Sequence, residues 1–225
     1  PCTEAVLASG VKRVIVGCTD PNPVVAGRGI RLLREKGLEV VAGVLRGECE
    51  RQNEVFFHFM RTKLPFTVLK YAMTLDGKTA TVSGKSQWIT GEAARKRVHE
   101  DRGRYMAILT GVSTVLADNP QLTCRIPGGK NPIRVIADTK LRTPLSSTVV
   151  QTARETPTWI VTAVSDAGRK KAYEDAGCRV LSVPAKEGEL DLQAMMQRLG
   201  EEKVDSVMVE SGGTLAWSFL KAGLV

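Results

Sequence analysis

Four charged residues carry most of the polar chemistry in this sequence: Lys70, Arg102, Arg125 and Glu210. Lys70 closes an apolar strand, Phe66 to Lys70, and Asp76-Gly77 makes a turn just beyond it. A lysine there either snorkels to solvent or faces a cleft, as a cation for an anionic substrate or as a proton donor. Arg102 and Arg125 have the planar fork that grips phosphate, although a single arginine is more often a solvated surface group. Glu210-Ser211-Gly212-Gly213-Thr214 lies between a β-branched strand and a helix. Ligands of open α/β sheets collect at the carboxyl ends of strands, and free N–H groups of a following helix suit a phosphate. The plain alternative is a tight strand–helix turn. Trp88 is either core or a stacking surface for a flat ring. Asp118 in Asp118-Asn119-Pro120 is a turn residue by composition and an acceptor for a ribose or amide by chemistry. The dinucleotide fingerprint G-x-G-x-x-G is absent, so an ordinary Rossmann site is not supported.

The 225 residues carry a net charge of +8. That balance suits an anionic small molecule better than nucleic acid, because the basic residues are dispersed and aromatics are sparse. No apolar run approaches the roughly 20 residues of a membrane span. Nothing resembles a signal peptide, and the chain opens on Pro1-Cys2 without a methionine, so a longer native chain is expected. Five widely spaced cysteines, Cys2, Cys18, Cys49, Cys124 and Cys178, do not form a disulfide framework, which makes a reducing cytoplasm the default. Cys2 opens a helix, where the dipole favours a thiolate, but it has no visible partner ligand. His58 and His99 fall in helix-like segments and read as surface or packing residues rather than ligands.

The elements that must position these groups alternate throughout. Residues 1–64 read as a compact βα unit: helix from Cys2 to Ser9, buried strand from Arg13 to Gly17, turn at Asp20 to Pro23, amphipathic helix from Ile30 to Lys36, strand from Leu38 to Val41. A continuous helix from Glu48 to Met60 turns Val55, Phe56 and Phe59 to one side. A boundary is expected at 61–65. The second part, 65–225, reads as strands at 66–70, 106–109, 133–138, 158–162, 179–183 and 206–210, with helices at 92–104, 169–176, 191–199 and 214–222. Thr90 is the expected N-cap of the first of these helices. Such alternation predicts an α/β domain whose mostly parallel sheet is covered on both faces. No internal repeat is apparent.

Over its whole length the chain resembles the bifunctional riboflavin-biosynthesis deaminase/reductase family. The matching segments are Pro1-Cys2-Thr3, Ala8 to Val14, Asp20 to Pro23 with Val25 to Gly29, Asn53, Lys70 to Gly77, Ser86 to Thr90, Thr114 to Pro120, Leu122 with Arg125, and Glu210 to Ala216. The joint spacing of Leu75-Asp76-Gly77 and Gln87-Trp88-Ile89-Thr90 is the most specific of these features. The resemblance implies the C-terminal part of a zinc-dependent, cytidine-deaminase-like domain over 1–64. It implies a dihydrofolate-reductase-like, NADPH-dependent reductase over 65–225, whose C-terminal end is expected to be missing. The implied reactions are deamination of a diamino-ribosylaminopyrimidinone 5′-phosphate and reduction of 5-amino-6-(5-phosphoribosylamino)uracil to its ribityl form.

Residue by residue, the resemblance makes Ala72, Trp88, Thr114, Asp118, Thr139 and Gly212-Gly213-Thr214-Leu215-Ala216-Trp217-Ser218 NADPH contacts. Ser86, Arg102, Leu122, Arg125 and Glu210 become substrate contacts, and Lys70 and Glu210 the polar groups nearest the reacting sugar. Cys2 corresponds to one of two zinc cysteines. The H-x-E segment and the other cysteine would precede Pro1, so the chain as given cannot assemble the zinc site. The implied setting is cytoplasmic, with a phosphorylated pyrimidine as partner, no nucleic acid and no membrane; homo-oligomerisation is left open. The alternatives are a non-catalytic nucleotide-binding fragment, or a dihydrofolate-reductase-like enzyme for another pyrimidine or pterin.

Overall fold

The computed structural model describes residues 2–225 and divides the chain into two compact units, 1–63 and 64–225. The first unit contains α1 (Cys2–Ala8), β1 (Arg13–Val16), α2 (Arg28–Glu35), β2 (Glu39–Ala42), α3 (Arg46–Gln52) and α4 (Glu54–Thr62). β1 and β2 pair in parallel, with Arg13 opposite Glu39. Gly37 ends α2 in the left-handed region, where glycine carries no Cβ penalty, and the N–H groups of Gly37 and Leu38 close onto the carbonyls of Arg34 and Leu33.

Two expectations for this unit are corrected. β1 is not buried: Ile15 is 64% exposed, on a face of the sheet that, among the described residues, no packed layer covers. The helix from 48 to 60 is broken at Asn53, whose Nδ2 donates to the Cys49 carbonyl at 2.9 Å and competes with the helical ladder. The break resets the helical phase, so Phe57 and Phe59 are buried while Phe56 is exposed.

The second unit is built on a six-stranded, fully parallel sheet. Its strands are β3 (Phe66–Lys70), β4 (Ala107–Gly111), β5 (Ile133–Ala137), β6 (Thr158–Thr162), β7 (Arg179–Ser182) and β10 (Ser206–Glu210), in the spatial order β3-β10-β4-β5-β6-β7. A small antiparallel hairpin, β8 (Ala185–Lys186) and β9 (Glu189–Leu190), was not foreseen from the sequence. It turns through Glu187 and Gly188, both at positive φ, as a two-residue hairpin turn requires. Ala107, Ile108 and Leu109 of β4 are all fully buried, as are Val207 and Val209 of β10. Successive strand residues face opposite sides, so burial of every residue means both faces are covered. Phe219, Met195, Met196 and Leu199 are among the residues that fill the core on the β4–β10 side chains.

Helices α5 (Glu92–Arg104), α6 (Val112–Asp118), α7 (Thr148–Gln151), α8 (Ala167–Asp175), α9 (Leu192–Glu201) and α10 (Gly213–Lys221) connect the strands. Asp166 and Asp191 cap α8 and α9 by accepting from the N–H groups of Arg169 and Ala194. Thr90 does not cap α5; Gly91 holds that position, one residue later, and the Thr90 carbonyl accepts from Arg95 Nη1 instead. Thr114 and Asp118 lie on helix α6, and the turn read at 118–120 is the left-handed C-cap at Asn119. The exposed connection 71–91 holds a short repeat missed in the sequence. Thr74 to Lys78 and Thr81 to Lys85, both T-x-x-G-K, fold into the same turn, with the threonine hydroxyl accepting from the lysine N–H at 3.0 Å in each. No helix among the described residues is long and apolar enough to cross a membrane.

Candidate functional site

The strand order is what assembles the charged residues. β10 inserts between β3 and β4, and the parallel register sets Glu210 directly opposite Lys70 at the carboxyl ends of their strands. Residues 140 apart in sequence thus meet: Lys70 Nζ donates to Glu210 Oε1 at 2.9 Å. Arg102, from the last turn of α5, completes the cluster. Its Nε reaches Glu210 Oε2 at 3.1 Å, and its Nη2 lies 3.0 Å from both carboxylate oxygens. The side chains are 28% (Lys70), 10% (Arg102) and 18% (Glu210) exposed, so the cluster is largely desolvated yet open on one side. Burial pushes the Glu210 carboxyl up, but the Arg102 guanidinium and Lys70 ammonium together outweigh burial and hold it below the usual carboxylate range. Glu210 is therefore an ionised acceptor at neutral pH with both oxygens engaged. It cannot itself donate a proton.

Beside this cluster runs the segment 121–125, held at four of its backbone groups by side chains. Arg134 Nη1 donates to the Gln121 carbonyl at 3.1 Å and Arg102 Nη1 to the Thr123 carbonyl at 3.0 Å. Asn131 Oδ1 accepts from the Cys124 N–H at 3.0 Å, and His99 Nδ1 accepts from the Arg125 N–H at 3.2 Å. Leu122 is buried and left-handed at φ 54°, which turns the chain at this point. A side chain at Gly103 would meet Cys124 Sγ at 3.2 Å, so glycine there allows α5 its close approach to the segment. The Arg125 side chain is exposed, and its guanidinium has no hydrogen bond or ion pair among the described residues. Arg102, by contrast, is committed to Glu210 and Thr123.

The structure also locates the remaining residues. Gly212 is the N-cap of α10 with no side-chain cap, and a Cβ at Gly212 or Gly213 would meet nothing within 4 Å, so no neighbouring atom crowds the glycines that start α10. Leu215 lies near Gly111, the N-cap of α6, which brings the starts of the two helices together. Thr214 and Trp217 are exposed, Ser218 bonds back to the Thr214 carbonyl, and Ala216 faces the core. Thr114 and Asp118 sit on α6, half-buried and exposed respectively. Ala72, Ser86 and Trp88 belong to the 71–91 connection; Trp88 is 72% exposed, with the Arg95 guanidinium 4.5 Å from its ring centre. Thr139 follows β5 and bonds to Glu189. From β3 to β5 the strand ends span three inter-strand spacings, about 14 Å, which is room for an extended ligand.

Sequence reasoning missed His99, Asn131 and Arg134. The signal for His99 was available: it lies three residues before Arg102 on α5, hence on the same helical face. No group of three or more His, Cys, Asp or Glu side chains among the described residues could hold a metal ion. Cys2 is exposed and belongs to no such group among the described residues, so these residues by themselves do not fit zinc.

Comparison with known proteins follows the same outline. The family model for the RibD C-terminal domain matches residues 65–225. The riboflavin biosynthesis protein RibD of Actinobacillus pleuropneumoniae is 48% identical over 225 residues, covering 100% of this chain and 60% of that protein. The crystal structure of a Thermotoga maritima diaminohydroxyphosphoribosylaminopyrimidine deaminase/5-amino-6-(5-phosphoribosylamino)uracil reductase superposes with a TM-score of 0.83 at 38% identity, over 99% of this chain and 60% of that one. RibD of Acinetobacter baumannii gives 0.85 at 35%, over 100% and 62%. The chain thus spans about 60% of the length of the curated relatives it matches. With the parallel sheet and the joined ends of β3 and β10, these matches show that the chain belongs to the RibD family and carries its C-terminal reductase domain, dihydrofolate-reductase-like in fold, over residues 65–225.

Proposed function

We infer that residues 65–225 form an NADPH-dependent reductase of riboflavin biosynthesis that acts on 5-amino-6-(5-phosphoribosylamino)uracil. The observation that carries this reading is the Lys70–Glu210–Arg102 cluster, open on one side, at the carboxyl ends of the adjacent strands β3 and β10. The start of α10 at Gly212 and Gly213 suits the phosphates of a dinucleotide, since no side chain caps it and nothing crowds its two glycines. Ala72, Trp88, Thr114, Asp118, Thr139 and the segment to Ser218 would hold the rest of the cofactor. When bound, NADPH supplies a hydride; the protein supplies orientation and charge.

Reduction at the sugar carbon leaves an atom that needs a proton. Lys70 is the group to provide it: an ammonium has three donors, and Glu210 uses one. Glu210 holds Lys70 in place and offers its ionised edge to substrate hydroxyls. Arg125 takes the 5′-phosphate, because its guanidinium is uncommitted, and Arg102 orients the carboxylate and the 121–125 segment. Ser86 and Leu122 complete the substrate side. Anchoring the remote phosphate turns binding energy into positioning at the reacting carbon.

Residues 1–64 we read as the C-terminal part of a zinc-dependent pyrimidine deaminase. A cytoplasmic enzyme without nucleic-acid or membrane partners follows from the same reading.

The test is NADPH oxidation by the full-length native protein with the phosphoribosylaminouracil as substrate. Lys70→Ala is expected to lower kcat about 100-fold, within the range for loss of a general acid. Wild-type turnover in Lys70→Ala would remove Lys70 from the mechanism. Absence of turnover by the wild-type protein would remove the reaction itself.

A further inference from the structure

We propose that His99 is a positioning residue for substrate phosphate: its neutral imidazole holds the backbone at Arg125 and so aims the Arg125 guanidinium. This role rests on the reductase reading above.

The geometry is specific. His99 lies on α5 three residues before Arg102, and both side chains reach the same segment. Arg102 fixes the Thr123 carbonyl, and His99 Nδ1 accepts from the Arg125 N–H at 3.2 Å. The His99 backbone carbonyl adds a third tie, accepting from Cys124 Sγ at 3.1 Å. Arg125 then leaves the segment with its backbone pinned and its guanidinium free. An arginine on a slack loop would lose more entropy on binding phosphate than one whose backbone is already ordered.

Only one protonation state does this. Nδ1 can accept a hydrogen bond when the proton sits on Nε2, and an imidazolium has no acceptor at all. The groups facing the ring are Arg102 from its own helix, Arg125 and the Thr123 carbonyl from the segment, and Glu210 from β10. Burial, then the Arg102 and Arg125 charges, push the imidazole below its usual value, while the Thr123 carbonyl and Glu210 pull the other way without prevailing. His99 is accordingly neutral at pH 7. Protonating it would replace an accepted hydrogen bond by two like charges, His99 and Arg125, at the same place.

Four variants of the full-length native protein test the role: His99→Ala, His99→Gln, Arg125→Ala and the His99→Ala/Arg125→Ala double variant. The readouts are KM for the phosphorylated aminouracil, KM for NADPH and kcat from pH 5.5 to 8. His99→Ala should raise the substrate KM about 5- to 10-fold, the worth of one hydrogen bond of about 1 kcal/mol or slightly more. kcat and the NADPH KM should stay within about twofold. The glutamine carbonyl can also accept from the Arg125 N–H, so His99→Gln should recover most of the loss at pH 7.5. It should also lack part of the acid-side rise in KM that wild type shows. The second ionisation of a phosphate, near pH 6, affects both proteins equally, so their ratio isolates His99.

If His99 acts through Arg125, adding His99→Ala to Arg125→Ala should cost nothing more. An unchanged substrate KM in His99→Ala overturns the proposal. So do additive losses in the double variant, or a glutamine variant as impaired as alanine with the wild-type pH profile; each would mean a general structural role. If the wild-type protein does not turn over this substrate, the reductase reading has failed and the role of His99 goes with it. Normal wild-type turnover with an unmoved KM in His99→Ala sinks His99 alone.

Discussion

Arg102 and Arg134 both reach the 121–125 segment, yet they live in opposite surroundings. Arg134, near the amino end of β5, is completely buried and, among the described residues, makes no hydrogen bond or ion pair with a carboxylate, Glu155 acting on it only through its charge. It donates to the carbonyls of Gln121, Val149, Thr152 and Thr156 and to the Thr152 hydroxyl, while its Nε is left without a partner among the described residues. Burial pulls its pKa down to about 10, so it is still charged at neutral pH. Arg102, at the carboxyl ends of the strands, meets an ionised glutamate in a cluster open to solvent. A cation caged by neutral carbonyls has nothing left to offer a ligand and organises the chain around itself. A cation paired with a carboxylate at the end of a parallel sheet belongs to a site that can take a ligand. Burial of charge alone does not mark function; the partner and the access do.

The largest loss is expected at Arg134. Arg134→Ala should destabilise the protein by about 4 kcal/mol, since it leaves a cavity and several buried carbonyls unpaired. Arg134→Lys should recover only part of that, because an ammonium cannot span the acceptors of a planar fork. Urea denaturation measures both, and a loss under about 1 kcal/mol would remove Arg134 as a structural hub. Arg102→Lys should do the reverse. Stability should change by about 1 kcal/mol, while kcat/KM for the phosphorylated substrate falls roughly 100-fold as Glu210 and Thr123 lose their shared clamp.

Glu210→Gln sharpens the contrast through pH. Glu210 has a lowered folded pKa, so its contribution is present above the ordinary value of 4.5 and is lost as pH falls through the folded value. The glutamine variant should be about 2 kcal/mol less stable at pH 7 and should lose less on acidification than wild type. Parallel thermal melts at pH 7 and pH 4 decide this; parallel falls in both proteins would contradict the ionised cluster.

The smallest effect concerns Cys178, which shares the surroundings of Arg134. Burial pushes its thiol up to about 11, against the opposing pull of Arg134. At pH 8 the folded protein should therefore leave Cys178 unalkylated while exposed Cys2 reacts, as peptide mass mapping would show. Labelling of Cys178 at the rate of Cys2 would mean that this part of the core opens readily.

Much of the sheet was legible because its strands are short β-branched runs bounded by turn residues, and all six appear close to their expected limits. Failures came where neighbours decide. The run Arg13 to Val16 has the composition of a core strand, but its side chains alternate between exposed and half-buried because burial depends on what packs on the sheet face. Asn53 interrupts what periodicity alone continues as one helix. The site divides in the same way. Lys70, Glu210 and Arg102 could be named one by one, but their mutual bonds, and the role of His99, depend on contacts made across the fold.

Residue order alone was enough to read an α/β protein with a mostly parallel sheet, a break near residues 61–65, and a set of charged and glycine-rich strand ends characteristic of one family. Periodicity, turn residues and motif spacing are local, so they survive in a linear reading. The tertiary structure alone decided that β10 inserts between β3 and β4. That pairing sets Glu210 opposite Lys70 and within reach of Arg102, commits Arg102, and leaves Arg125 free on a segment tied to His99. Strand order is a global property of the packed sheet, and with it comes the difference between an arginine that holds the protein together and one that holds the site.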